Sequence, residues 1–374
     1  MQIDTDERRM LREAAQRYAE RDYPFAERQR AAALPGGFDP SRWQQFAEMG
    51  WLALGLPEDC EGYGDVFDQL VVGEALGRML ALEPWLPQLG LAAPLLAASA
   101  APVHRQLLGA AGRGESRVVL AAWEPGARHD AIETRTQARR VGAGWQIDGR
   151  KTLVLGGGSA QRLIVSARVA GEPRDAGGIA LFVIDADAPG ASRRALPTYD
   201  AQQTATLELR SVTVADEALI GTPGAGWPLI ERAIDHATVL ACAQAVGAMD
   251  LALATTREYL ATRKQFGRVL TQNQVLRHRL VDLFVAIEQS RAITEAAAGK
   301  LDASPGVRMR AVSQAKVFVS QAARRTGEDA VQLHGAIGMT DEYVVGHAYK
   351  RLAAFANLFG DAPWHLERLS RLAD

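Results

Sequence analysis

The sequence predicts an α+β multidomain chain: a helical N-terminal domain over residues 1–112, a central β-barrel-like or sandwich domain over 113–222, and a C-terminal four-helix bundle over 223–374. Three observations predict it. Apolar residues recur at helical spacing as far as Gly112, then fall between Ser116 and Ile220 into short runs of period two broken by glycine, proline and aspartate. After Gly221-Thr-Pro-Gly-Ala-Gly226 the helical period returns and persists.

Taken in order, Met10, Leu11, Ala14, Ala15 and Tyr18 place one helix from Asp4 to about Ala33, stopped by Pro35-Gly36-Gly37. Ser41 opens a short helix carrying Trp43, Phe46, Ala47 and Met49, and Leu56 to Gly64 reads as an irregular loop. Helical patterning resumes from Val66 to about Leu108. Strands are expected at Val118 to Ala122, Gln161 to Val169, Ile179 to Ile184 and Thr204 to Leu209, with turns at Val141 to Gly144, at Asp148-Gly149 and at Gly156-Gly-Gly158. Bundle helices are expected near Trp227–Arg263, Gln274–Lys300, Pro305–Ala336, Asp341–Leu358 and Asp361–Leu372. Leu276, Leu280, Leu283, Phe284 and Ile287 read as a core-facing stripe, and Cys242 as core.

With 374 residues, 48 % of them hydrophobic and 23 % charged, the chain is long and apolar enough for more than one buried core. Its 42 basic and 44 acidic side chains leave a net charge of −2, so no summed field draws it to nucleic acid or anionic lipid. Cys60 and Cys242 show no paired spacing, and the seven histidines form no HxxxH pair, so neither a disulfide framework nor a metal site is expected. The start is charged from the fourth residue, and no uninterrupted apolar run reaches about 18 residues. The expectation is a cytoplasmic chain without a membrane span.

Two stretches stand out chemically. Tyr259-Leu-Ala-Thr-Arg263-Lys-Gln-Phe266-Gly-Arg-Val-Leu270-Thr-Gln-Asn-Gln274 is a helix cut by Gly267 in a cationic turn, and Gln332-Leu-His-Gly335-Ala-Ile-Gly-Met-Thr340 is a glycine-broken helix end. Each alone reads as a turn. Together, and within this α-β-α order, they resemble the acyl-CoA dehydrogenase family, with His278-Arg-Leu-Val-Asp282, Leu56-Pro-Glu, Gly62-Tyr-Gly64 and Glu124-Pro-Gly-Ala127 as further matches.

The resemblance implies FAD, bound by Arg263, Phe266, Leu270, Gln274, Gln332 and Gly335, and α,β-dehydrogenation of an acyl-CoA thioester. It also implies an oligomer, homomeric or with a related dehydrogenase subunit, and an electron-transfer flavoprotein as acceptor. Physically, Arg263 suits a pyrophosphate, Gly335 lets backbone approach closely, and the glutamines offer amide donors and acceptors.

Dehydrogenation needs a carboxylate to remove the α proton, and the catalytic residue is not identified here. At the position where most of the family carries that glutamate stands Phe359, and at the alternative position, twenty-six residues before Arg263, stands Ala237. Asp361 and Asp235 are the nearest carboxylates in sequence, and Asp361 reads first as an N-cap. Leu153 and Leu155 occupy the positions of the family's usual tryptophan and hydroxyl residue beside the flavin ring. Arg128, Arg135, Arg139 and Arg140 are candidates for CoA phosphates, a solvated face being the favoured reading. Losing the base while keeping the pyrophosphate residues matches the small subunits of two-subunit dehydrogenases. The alternatives are a complete dehydrogenase with an unconventional base, a flavin-free protein that keeps only the fold, and a flavin oxidase or monooxygenase of the same superfamily.

Overall fold

The computed structural model describes residues 5–265 and 267–372. Its helices are α1 (Asp6–Arg21), α2 (Phe25–Ala32), α3 (Pro40–Glu48), α4 (Val66–Met79), α5 (Ala93–Ala97), α6 (Pro102–Gly112), α7 (Trp227–Thr262), α8 (Gln274–Ala298), α9 (Pro305–His334), α10 (Val344–Asn357) and α11 (Ala362–Arg371). The strands between α6 and α7 are β1 (Val118–Ala121), β2 (Gln137–Val141), β3 (Gly144–Leu155), β4 (Arg162–Arg168), β5 (Ile179–Asp185), β6 (Ala191–Pro197), β7 (Gln203–Ala215) and β8 (Leu219–Ile220). This is the helical, sheet, helical order expected, with several local corrections.

The first helix is two. Pro24 has no N–H to continue α1, which ends at Arg21, and α2 restarts at Phe25. The N-cap of α3 is Asp39, not Ser41: its side chain accepts from the Ser41 N–H at 2.9 Å, and Pro40 takes the first helical position. The stretch from Val66 to Leu108 is interrupted after Met79, where Leu80 adopts a left-handed φ of 52°, and continues as a π-helical segment, Leu86–Ala92, before α5 and α6.

The chain divides into two compact units, one of Ala31–Val66 and Leu82–Ala237, the other of Met1–Arg30, Phe67–Ala81 and Thr238–Asp374. In the first, the strand order is β6-β7-β3-β2-β4-β5-β8, and β1 pairs with β4 in parallel. β4 touches β2 only at Arg168, opposite Gln137, so the sheet forms two halves, which share one core holding Val119, Trp145, Ile147, Phe182 and Leu207. β2, β3 and β6 had no sequence counterpart. Asp148-Gly149 is not a turn but lies inside β3, where the register with β7 shifts. A Cβ on Gly149 would fall 2.4 Å from Thr136 Oγ1, so the glycine marks a close approach within the sheet.

The helical unit is held by glycine contacts and buried cations. α4 and α7 cross with backbones touching: a Cβ on Gly77 would lie 1.9 Å from the Gln244 carbonyl oxygen, and one on Gly247 1.8 Å from that of Glu74. Arg28 and Arg351, both buried, donate to the Leu80 carbonyl just past the end of α4. Arg291 forms ion pairs with Glu74 (3.1 Å) and Asp250 (2.6 Å) and with Glu288. The expected core stripe of α8 is only half core: Leu283 and Ile287 are buried, but Leu276 and Leu280 are half-buried and Phe284 is exposed. Among the described residues one helix, Trp227–Thr262, is long and apolar enough to cross a membrane, and 72 % of its most apolar window is buried inside the protein.

Candidate functional site

The cationic turn is a built structure. α7 ends as Thr262 Oγ1 donates to the Glu258 carbonyl, and the Arg263 N–H donates to that of Tyr259 at 2.8 Å. Lys264–Gln265 then pairs antiparallel with Arg268–Val269 around Gly267, whose φ of 75° is costly for other residues. Leu270 N–H closes the turn onto the Arg263 carbonyl at 3.0 Å, and Asn273, fixed by Arg268 at 2.6 Å, leads into α8 at Gln274. Arg263 is exposed and forms no ion pair among the described residues; Gln274 is exposed and Leu270 half-buried. Phe266 lies outside the described residues.

The second stretch packs against the first. His334, at the last position of α9, is buried; its ring stacks on Tyr259 at 4.5 Å between centroids and lies 5.2 Å from that of Tyr343. Burial pushes the imidazole pKa down, so it is neutral at pH 7, with Nδ1–H donating to the Ala330 carbonyl at 2.8 Å. Thus Tyr259, four residues before Arg263, and His334, two residues after Gln332, bring the two motifs together. Gln332 is exposed. Gly335 follows with φ 67° and ψ −143°, and a Cβ there would meet nothing. A free guanidinium, exposed amides and an open glycine backbone fit the anionic end of a dinucleotide such as FAD.

The two positions at which the resemblance places a base hold buried apolar side chains. Phe359 is buried with φ 58°, and its carbonyl accepts from His365 Nε2 at 3.2 Å. Asp361 caps α11, accepting from the Trp364 N–H at 2.9 Å. Ala237 is fully buried against the π-helical segment, so close that a Cβ on Gly90 would sit 3.0 Å from its Cα. Asp235, two residues earlier on α7, is also fully buried.

Two further buried ionisable residues carry no sequence signal. Lys316 on α9 is fully buried, donating to the Phe355 (2.9 Å) and Ala356 (3.2 Å) carbonyls at the end of α10. Glu83, also buried, accepts from the Leu82 N–H at 3.1 Å and lines a cavity of about 20 Å³ with Leu155 and Gly156. Both lie in apolar stretches whose pattern marks only core.

In the sheet unit, Glu124 accepts from the Arg135 and Thr136 N–H groups and from Lys151 Nζ at 2.7 Å. Burial opposes its ionisation, but the Lys151 charge and these hydrogen bonds outweigh it and hold the carboxyl below its usual range. Burial pushes Lys151 down to about 8, partly offset by Glu124, so the pair is ionised at neutral pH. Leu153, two residues on, is 54 % exposed and left-handed at φ 50°. Arg135, Arg139 and Arg140 have carboxylate partners in Glu133, Asp148 and Asp216, and Arg128 is exposed.

Models for the acyl-CoA dehydrogenase N-terminal, middle and C-terminal domains match residues 5–115, 120–212 and 224–372. The chain belongs to the acyl-CoA dehydrogenase family, an oxidoreductase family whose members are FAD-binding flavoproteins. It is 26 % identical to the mouse (Mus musculus) mitochondrial short-chain specific acyl-CoA dehydrogenase over 350 residues, covering 91 % of this chain and 84 % of that protein. It is 28 % identical over 355 residues to a 3-sulfinopropanoyl-CoA desulfinase of Paraburkholderia xenovorans, covering 89 % and 87 %. Among solved structures, a chain of the ChsE4–ChsE5 complex from Mycobacterium tuberculosis superposes with a TM-score of 0.89 at 26 % identity, covering 100 % of this chain and 99 % of that one.

Proposed function

We propose that this chain is the base-lacking, cofactor-sharing subunit of a heteromeric FAD-dependent acyl-CoA dehydrogenase. One contrast carries the reading: both positions where the family places its base hold buried apolar side chains, Phe359 and Ala237, while the dinucleotide-type donors Arg263, Gln332 and Gly335 stay exposed. Likeness to a chain of a two-protein complex supports it. FAD, when bound, supplies the hydride acceptor for the thioester's β carbon. Arg263 holds the pyrophosphate, Gly335 admits it to the backbone, and Gln274 and Gln332 orient the adenosine end. The α proton leaves to a carboxylate of the partner subunit, and electron-transfer flavoprotein is the expected acceptor.

The test is anaerobic titration with short, long, branched and bulky acyl-CoA thioesters, on the chain alone and on the chain co-purified with a related dehydrogenase subunit. Flavin should bleach only in the co-purified sample. Bleaching by the isolated chain contradicts the reading and makes this a complete enzyme, its base then to be located with Asp235→Asn, Asp361→Asn and Glu83→Gln. A second reading, the same fold with altered flavin chemistry, draws on the likeness to a desulfinase. Rapid reaction of the reduced flavin with oxygen would favour an oxidase or monooxygenase.

A further inference from the structure

We propose that Arg117 and Arg193 form an oxyanion site for a phosphoryl group at the turn between β3 and β4. Both arginines are anchored on that turn, Gly156 to Ala160. Arg117 Nε donates to the Ser159 carbonyl at 2.8 Å, and Arg193 Nη1 donates to the Gly157 carbonyl at 3.1 Å and to that of Ala160. The contacts bring two guanidiniums to one short stretch of backbone, one from the residue before β1 and the other from the edge strand β6. Both side chains are half-buried, and that of Arg117 lies 5.8 Å from the centre of the buried Phe38 ring. The loop that carries Phe38 rests on the same turn, where a Cβ on Gly36 would lie 3.8 Å from that of Ser159.

What the pair lacks is counter-charge. Among the described residues no carboxylate pairs with Arg117, and neither of its Nη groups meets an acceptor, so one edge of its fork is unused. Burial holds its pKa below the arginine norm, and the charge of Arg193 pushes in the same direction. Arg193 has one carboxylate, Asp187 at 3.1 Å, whose side chain is 80 % exposed and therefore screened by water. Arginines buried for structural reasons in this chain are served differently. Arg8 lies 3.1 Å from Asp68, and the fork of Arg168 is filled by the Thr134, Pro173 and Gly177 carbonyls. Two like charges fixed on one turn, with donors left over, are stabilised by an anion that joins them. A phosphoryl dianion balances both charges and has oxygens enough to accept from both forks, whereas a carboxylate brings one charge and two oxygens.

The inference does not rest on the proposed reaction and is read by binding alone. Calorimetric titration of the full chain with inorganic phosphate, at pH 8 and constant ionic strength, should show saturable binding with a dissociation constant in the millimolar range or below. Acetate under the same conditions should give no saturable heat. Arg117→Gln and Arg193→Gln should each weaken phosphate binding by about tenfold or more, with an unchanged far-ultraviolet spectrum. Arg194→Gln removes the same charge from the next residue of β6, which is exposed and points to the other face of the strand, and should leave the affinity within about twofold. Adenosine 5′-monophosphate then separates the sources of the group: binding tighter than that of phosphate assigns the site to a phosphate ester, weaker binding to the free ion. No saturable phosphate binding, equal binding of acetate, unchanged affinity in Arg117→Gln and Arg193→Gln, or an equal loss in all three variants would each overturn the proposal.

Discussion

Lys316 shows how much a single side chain does at the end of the chain. Its ammonium donates to two carbonyls in the last turn of α10, that of Ala356 and that of Phe355, which also accepts from the Leu358 N–H, and lies 4.4 Å from the centre of the Phe355 ring. Burial pushes it down to about 8 from a free-lysine value of 10.5, with Cys242 and Asp361 pulling it partly back. Between these values the unfolded chain binds more protons than the folded one, so this residue makes stability rise with pH across that window and costs stability below it. We predict that the melting temperature of the wild type rises from pH 8 to pH 10 relative to that of Lys316→Met. At pH 7 the variant should be about 1–3 kcal/mol less stable, through the lost hydrogen bonds to the Phe355 and Ala356 carbonyls. Parallel pH profiles would contradict this. In the sequence, Lys316 is hidden inside an apolar helix, whereas Gly267 and Gly335 are legible because each takes a left-handed φ that marks a turn. The burial of Lys316 and of Lys151 depends on partners distant in sequence, the end of α10 and Glu124, so neither lysine carries a local signal.

Between elements, the crossing of α4 and α7 is the tightest contact in the helical unit. Gly247→Ala drives a methyl group into the Glu74 carbonyl and should cost about 3 kcal/mol or more, although alanine is the better helix former. Gly306→Ala, on α9 where a methyl meets nothing, should instead stabilise by about 0.4–1 kcal/mol. Chemical denaturation of both variants checks the pair, and equal effects would contradict the crossing. Element type was largely legible from the apolar period, since the long helices α7 to α9 and the buried strands β1, β4 and β5 carry uninterrupted patterns. What failed has local causes. Pro24 splits a helix whose period runs through it, and Gly149 marks a bulge that looks like a turn. β6, mostly exposed, has too little apolar content to announce a strand. The α8 stripe reads as core throughout because hydrophobicity alone does not tell which of its residues turn into the bundle, and Phe284 does not.

At the scale of the whole molecule, the family's three domains match nearly the full length of the chain. The residues proposed to hold the dinucleotide, Arg263 and Gly335 among them, sit on one turn and one helix end joined by the Tyr259–His334 stack. Neither Phe359 nor Ala237 is a carboxylate; Phe359 is a buried apolar side chain, and Ala237 lies so close to Gly90 that a longer side chain there would need repacking. In the proposed heteromeric enzyme this chain lends its turn to a flavin shared with a catalytic partner. The most direct measurement of that claim is the ratio of flavin to polypeptide, by visible absorbance, in the size-separated protein purified without a partner and again with one. The account predicts little FAD on the chain alone, and one per pair of unlike chains in the complex, lost on Arg263→Ala with the fold intact. One FAD per chain in the absence of any partner would contradict it.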